Sequence, residues 1–267
     1  MSVRIEDSRV LLTGATGGIG HAIARTLHAR GAHMVLSGRR GDVLEGLRSE
    51  LGSRVEVIEA DLTKGEDVIR LAREAAPVHV LVANAALPAT GALDTFAAEE
   101  IDHALNVNLR APMQLTRALL PAMVERASGH VVFVSSISGK VATPYSSVYC
   151  ATKFGLRGFG FALHEELEGT GVGATTVFPG FIRDAGMFAD SGAKVPPYLG
   201  TRPPEDVAEA VIEGIEKNRT EIDVAPIAMR AGTKIFVTAP SIGARISRAL
   251  GGSRIAANVA SGQRDKR

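Results

Sequence analysis

Seven short apolar runs rich in β-branched residues recur along this chain. Each but the last is followed by a longer stretch with helical spacing. The runs are RVLLT (9–13), HMVLS (33–37), RVEVIEA (54–60), VHVLVAN (78–84), HVVFVSS (130–136), GATTVFP (173–179) and EIDVA (221–225). The helical stretches lie near 18–30, 42–51, 65–75, 98–126, 148–169 and 205–217. Strands that read as continuous apolar runs belong to a parallel sheet covered on both faces. Repeated strand–helix–strand units need right-handed crossovers. The expected fold is therefore α/β: a doubly wound parallel sheet of about seven strands, with helices on both faces. No low-complexity linker interrupts residues 1–229, which read as a single domain, and 230–267 reads as an extension rather than a second domain.

Bulk properties narrow the function classes. A chain of 267 residues can bury a sizeable core without staples. Its net charge of +1 gives no global pull toward nucleic acid. A lone cysteine, Cys150, excludes an intrachain disulfide and suits a reducing compartment. The start, MSVRIEDSRV, is too polar for a secretory signal, and no apolar run reaches the ~18 residues of a spanning helix. A cytoplasmic protein is expected. Metal chemistry finds no support: His28 and His33 flank a strand entry, and HEEL at His164 lacks the second histidine of a zinc motif.

The first strand runs directly into TGATGGIG, Thr13 to Gly20, and then a helix. Glycines at Gly14, Gly17, Gly18 and Gly20 let the backbone turn tightly beside a pyrophosphate, with Thr16 and Ile19 in the same loop. The helix start supplies unpaired N–H groups and the positive end of the dipole. A glycine loop in this position makes the sheet Rossmann-type and the ligand a dinucleotide. The second strand ends VLSGRR. Gly38 stands where an acid would hold ribose hydroxyls, and Arg39 and Arg40 follow, with the planar fork that suits a 2′-phosphate. NADP(H) is expected over NAD(H). Asp61 and Leu62 end the third strand; Asp61 accepts from an adenine amino group or caps the following helix.

Tyr149 and Lys153, in VYCATKFGLRGF, are four apart and share one helical face. An ammonium beside a phenol favours the phenolate, which serves proton transfer near neutral pH.

The glycine loop, the NAA at Asn84, the SS at 135–136 and Tyr-x-x-x-Lys come in this order. In that order they resemble the classical short-chain dehydrogenase/reductase family, over roughly residues 8–226. The resemblance implies that Tyr149 protonates the carbonyl oxygen, Ser136 hydrogen-bonds it, and Lys153 lowers the tyrosine pKa and holds the nicotinamide ribose. It implies that Asn108 in NVNLRAP anchors a water relay to the lysine. The family's serine lies about a dozen residues before its tyrosine, so Ser136, thirteen before Tyr149, is chosen over Ser135; alternation points the two to opposite faces, so they are not interchangeable. Asn84 lies by the adenosine ribose, although Ala83 and Ala86 depart from the family's Asn-Asn-Ala-Gly. In PGFIRD, Pro179 and Gly180 form the turn and Ile182 holds the nicotinamide amide through its backbone. Asp184 replaces the usual threonine. It accepts from the amide, caps the next short helix, or lies exposed. The family usually pairs the helices carrying Asn108 and Tyr149 between subunits, so a homodimer or homotetramer is expected.

The substrate side contributes Leu87, Val141, Phe181, Met187, Phe188 and Tyr198, which favours an apolar carbonyl or alcohol. The expected activity is NADP(H)-dependent hydride transfer with that carbonyl/alcohol pair. The alternatives are a non-catalytic dinucleotide sensor or scaffold, against which the complete Ser-Tyr-Lys set argues, and an epimerase or dehydratase on the same fold. Residues 230–267 hold eight Lys/Arg against one acid, Asp265. APSIGARISRALGG places Ile242, Ile246 and Leu250 at helical spacing among Arg245 and Arg248. Such a helix docks on a partner subunit or covers the pocket; the other reading is peripheral contact with an anionic membrane.

Overall fold

The computed structural model describes residues 3–196 and 199–263. Its sheet has seven parallel strands in the order β3-β2-β1-β4-β5-β6-β7. They are β1 (Arg9–Thr13), β2 (His33–Gly38), β3 (Val55–Glu59), β4 (Val80–Ala83), β5 (Gly129–Val134), β6 (Val172–Pro179) and β7 (Glu221–Val224). Every residue of β4, β5 and β6 is buried, because helices cover both faces there. Two apolar clusters result, one on each face. Leu12, Ile23, Leu36 and Val211 belong to one, and Leu11, Leu71, Leu115 and Phe133 to the other.

The crossover helices are α1 (Gly18–Ala29), α2 (Gly41–Leu51), α3 (Gly65–Ala75), α4 (Ala98–Leu105), α5 (Ala111–Glu125), α6 (Ser147–Glu166), the short α7 (Gly186–Asp190) and α8 (Pro204–Lys217). The stretch read as one helix over 98–126 is broken by a π turn at Asn106–Arg110. Pro112 lies in the first turn of α5 and has no N–H for the Asn108 carbonyl four residues back. The break therefore falls on a candidate site residue, as π turns often do. Three further helices follow β7: α9 (Ile227–Thr238), α10 (Pro240–Ala249) and α11 (Gly252–Gly262). The extension is thus almost wholly helical up to Gly262, well beyond the single amphipathic helix expected. Tyr198 and residues 264–267 lie outside the described residues. No described helix is long and apolar enough to cross a membrane.

Candidate active site

The switch in strand order between β1 and β4 opens a crevice at the carboxyl ends of the strands, where ligands bind in such sheets. The glycine loop fills its floor. Gly14 has φ +66°, and a Cβ there would come 2.7 Å from Ala85 Cα. A Cβ on Gly18 would come 2.6 Å from that of Ala185. Gly17 caps α1 without a side-chain hydrogen bond, and no acid sits in the first turn. The N–H groups of that turn are thus presented to an anion. Gly20 is buried under the loop, and Ile19 reaches the cavity described below. Asn84 staples the loop from the next strand: its Nδ2 donates to Thr13 O at 3.2 Å and Gly14 O at 3.1 Å. The cradle fits a dinucleotide pyrophosphate.

Gly38 ends β2, and Arg39 and Arg40 are both exposed beside the loop. Arg40 donates to Thr16 O at 2.5 Å, which sets its guanidinium against the glycine loop. Asp61 Oδ1 accepts from Thr63 N at 3.1 Å and Thr63 Oγ1 at 2.9 Å. It therefore builds the turn before α3, whose N-cap is Lys64, and is not itself the cap. Leu62 is buried in the core, so its side chain packs instead of lining the crevice.

Ser135 and Ser136 both border the cavity described below, but their hydroxyls have different partners. Ser135 Oγ is buried and donates to Lys153 O at 3.2 Å. Ser136 faces the cavity; its Oγ accepts from Ser138 N at 3.1 Å and lies near enough to the Tyr149 phenol to favour its charged form. Lys153 is 1% exposed; its Nζ donates to Val134 O at 3.1 Å and lies 5.6 Å from the Tyr149 ring centre. Burial pushes the lysine down to about 8. Burial also pushes the Tyr149 phenol up to about 12, against the pull of Ser136. The expected lowering of the tyrosine by the lysine is not met: the one downward pull is that of Ser136, and desolvation disfavours both charged forms.

Asn108 is 0% exposed. Its Nδ2 donates to Leu87 O at 3.0 Å and Thr152 Oγ1 at 3.3 Å, and its Oδ1 accepts from Leu87 N at 2.7 Å. Thr152 donates in turn to Tyr149 O at 2.8 Å. The Asn108 side chain therefore ties the loop after β4 to the first turn of α6, and it has no N–H left for a water. Leu87, expected to line the substrate side, serves this tie and packs in the core instead.

Beyond β6, Pro179 and Gly180 line the cavity, and Gly180 N donates to Val224 O at 2.9 Å. Ile182 is 3% exposed and bridges to Arg202. Asp184 has φ +65° and an exposed side chain 3.5 Å from Arg183 Nε. The cap of α7 is Ala185, so Asp184 does not cap that helix and its side chain lies exposed.

These side chains open onto one cavity of about 450 Å³. Ser136, Tyr149 and Lys153 stand at one end with Ile19, Asn84 and Gly180, and Val141, Phe181, Met187 and Phe188 also line it. Much of the remaining wall comes from α9, α10 and α11, so the extension covers the pocket. Gln263, 3% exposed just after α11, latches it: its Oε1 accepts from Thr90 Oγ1 and its Nε2 donates to Met187 O, both at 2.8 Å. The lysine after the serine loop, Lys140, is equally buried and pairs with Asp223 at 2.6 Å and Glu221 at 2.8 Å, pinning that loop to β7.

The family model described as short chain dehydrogenase matches residues 8–196. The ketoacyl reductase HetN of Nostoc sp. is 36% identical over 222 residues, which are 80% of this chain and 77% of that protein. A short-chain dehydrogenase from Sphingobium yanoikuyae, solved with NADPH, superposes with a TM-score of 0.74 at 28% identity, covering 87% of this chain and 93% of its own. The 3-ketoacyl-(acyl-carrier-protein) reductase of Brucella melitensis, solved with NADH, also has a TM-score of 0.74, at 25% identity over 82% of this chain and 97% of its own. A seven-stranded doubly wound sheet, a glycine cradle under its switch point and a matched stretch that contains Ser136, Tyr149 and Lys153 carry one conclusion: this chain belongs to the short-chain dehydrogenase/reductase family of oxidoreductases.

Proposed function

We propose that the protein transfers a hydride between NADP(H) and an apolar carbonyl/alcohol pair. One observation carries this reading: the hydroxyls of Ser136 and Tyr149, with Lys153 beside them, line one cavity whose wall is otherwise largely apolar. The nicotinamide, when bound, supplies or accepts the hydride. Ser136 donates to the carbonyl oxygen as charge develops on it, and Tyr149 delivers its proton there. Lys153, held down to about 8, exchanges its proton near neutral pH and favours the phenolate while charged. The Asn108 carbonyl, deprived of its α-helical donor by Pro112, takes the water-anchoring role that its side chain cannot fill.

The family neighbours were solved with NADPH in one case and NADH in another, so the preference rests on Arg39 and Arg40. Parallel titrations with NADPH and NADH, followed by cofactor fluorescence, test it. A low protein background is expected, because the chain has no Trp. The expected result is tighter NADPH binding that falls at least tenfold in Arg39→Ala/Arg40→Ala, with NADH unchanged. NADH bound as well as NADPH by the natural chain would reverse the cofactor choice. The assembly we propose is a homodimer or homotetramer paired through α4–α6. Phe154 and Phe161, 41% and 53% exposed on α6, support it, and sedimentation as a monomer would end it.

A further inference from the structure

The extension does more than cover the pocket. Each of its three helices turns one face to the cavity at helical spacing. On α9 this face is Met229, Gly232, Thr233 and Phe236; on α10 it is Gly243, Ile246, Ser247 and Leu250. On α11 it begins at Ile255 and Ala256 and runs through Val259 to Gln263. The faces run roughly 10–12 Å along their axes. Of their polar members, Thr233 Oγ1 donates to Met229 O at 2.9 Å and Gln263 holds Thr90 and Met187, which leaves the Ser247 hydroxyl. Among the described residues lining the cavity, Lys153 is the only charged side chain. Apart from the Ser247 hydroxyl, nothing on the helical wall would replace the water lost by a sugar or a phosphate. The volume of about 450 Å³ suits a ligand of many heavy atoms. The wall lies beyond residue 196, where the family match stops.

We propose that α9–α11 form a binding site for a hydrocarbon tail. The substrate is then an amphiphile with its carbonyl at Tyr149 and an unbranched medium-length chain along Met229, Phe236, Ile255 and Val259. This rests on the reading of Tyr149 as the proton donor to a carbonyl.

The test uses unbranched methyl ketones of four to fourteen carbons. Their binding to the Tyr149→Phe protein is measured calorimetrically with NADPH present, and their turnover is measured with the natural chain. Affinity and kcat/KM are expected to rise about fourfold per methylene until the site is full. Val259→Phe, checked for folding by its melting transition, should move the plateau to shorter chains. Affinity that is flat with chain length would overturn the tail site, while reduction of short ketones would leave the enzyme reading standing. A rising series that Val259→Phe does not shift would place the tail elsewhere and also overturn it. Chain-dependent binding with no turnover of any ketone would keep the tail site and remove the catalytic reading.

Discussion

On the strand side of the cavity, Asn108, Lys153 and Ser135 are 0%, 1% and 5% exposed, and each is hydrogen-bonded to backbone of another element. On the helical side, Ile246 and Leu250 line the same cavity yet are 43% and 57% exposed, and a single glutamine latches the end of α11. One wall is built for position and the other for contact. Hydride and proton transfer tolerate little misplacement, so their groups sit on strand ends and a buried helix turn. Recognition of an apolar chain is non-directional and scales with area, so half-buried helices suffice for it. The two walls therefore fail differently when altered.

The largest expected effect is on the rigid wall. Tyr149→Phe removes one oxygen and leaves the ring in place. The kcat/KM for carbonyl reduction should fall by about 10³-fold, the usual worth of a positioned proton donor. NADPH affinity and the melting temperature should stay within error. A fall of less than tenfold would show that the proton comes from elsewhere.

Lys153→Met is expected to separate function from stability. The folded chain holds this ammonium almost fully buried, with Val134 O as its hydrogen-bond acceptor. Its pKa of about 8 lies below the ordinary 10.5, so the charged form opposes folding at neutral pH. Between pH 8 and 10.5 the unfolded chain keeps a proton that the folded chain has released, so stability rises with pH across that window. Tyr149 works in the opposite direction. Its folded pKa of about 12 makes stability fall as pH rises from 10 to 12. Methionine abolishes the lysine contribution. The variant should be inactive, more stable by about 2 kcal/mol at pH 7, and flat from pH 8 to 10 in denaturant titrations. A variant less stable than the natural chain at pH 7 would mean that the Val134 hydrogen bond outweighs the burial cost.

The same contrast governs how much of the molecule is legible in its sequence. The strand runs predicted β1 without error and the others to within two residues, because a buried parallel strand leaves an unbroken apolar run. Ser136 is picked over Ser135 by its spacing from Tyr149, which the family resemblance supplies; period-two alternation shows only that the two are not interchangeable. The π turn at Asn106–Arg110 was missed, although Pro112 carries a signal for it: a proline four residues after Asn108 removes that carbonyl's helical donor. The role of Leu87 was misjudged because its backbone, not its side chain, does the holding. The helical wall was least legible. Of the conspicuous apolar stripe Ile242, Ile246 and Leu250 only the last two reach the cavity, all three stay largely exposed, and the faces turned to the cavity also hold Gly232, Gly243 and Ala256. A helix that lines a cavity needs small residues where the ligand goes, and those weaken the periodic signal on which a reader depends. Gln263 had no local signal, since its partners are 173 and 76 residues away.

That glutamine offers the smallest effect and the finest test of the contrast. Gln263→Leu keeps the volume but leaves the Thr90 hydroxyl and the Met187 carbonyl without their partner. Two lost hydrogen bonds at a largely buried site cost about 1–2 kcal/mol. The cost should stay local, because the C-terminal residues can open without disturbing the sheet. Amide exchange in α11 should quicken about tenfold while that in β5 and α6 stays unchanged. On the substrate side the expected signature is a KM raised a few-fold with kcat preserved, since a loosened wall weakens binding of the bound chain and the reacting chain equally. A kcat that falls with KM unchanged would mean that the latch positions Tyr149 itself, and the division between a rigid wall and an adaptable one would then be wrong.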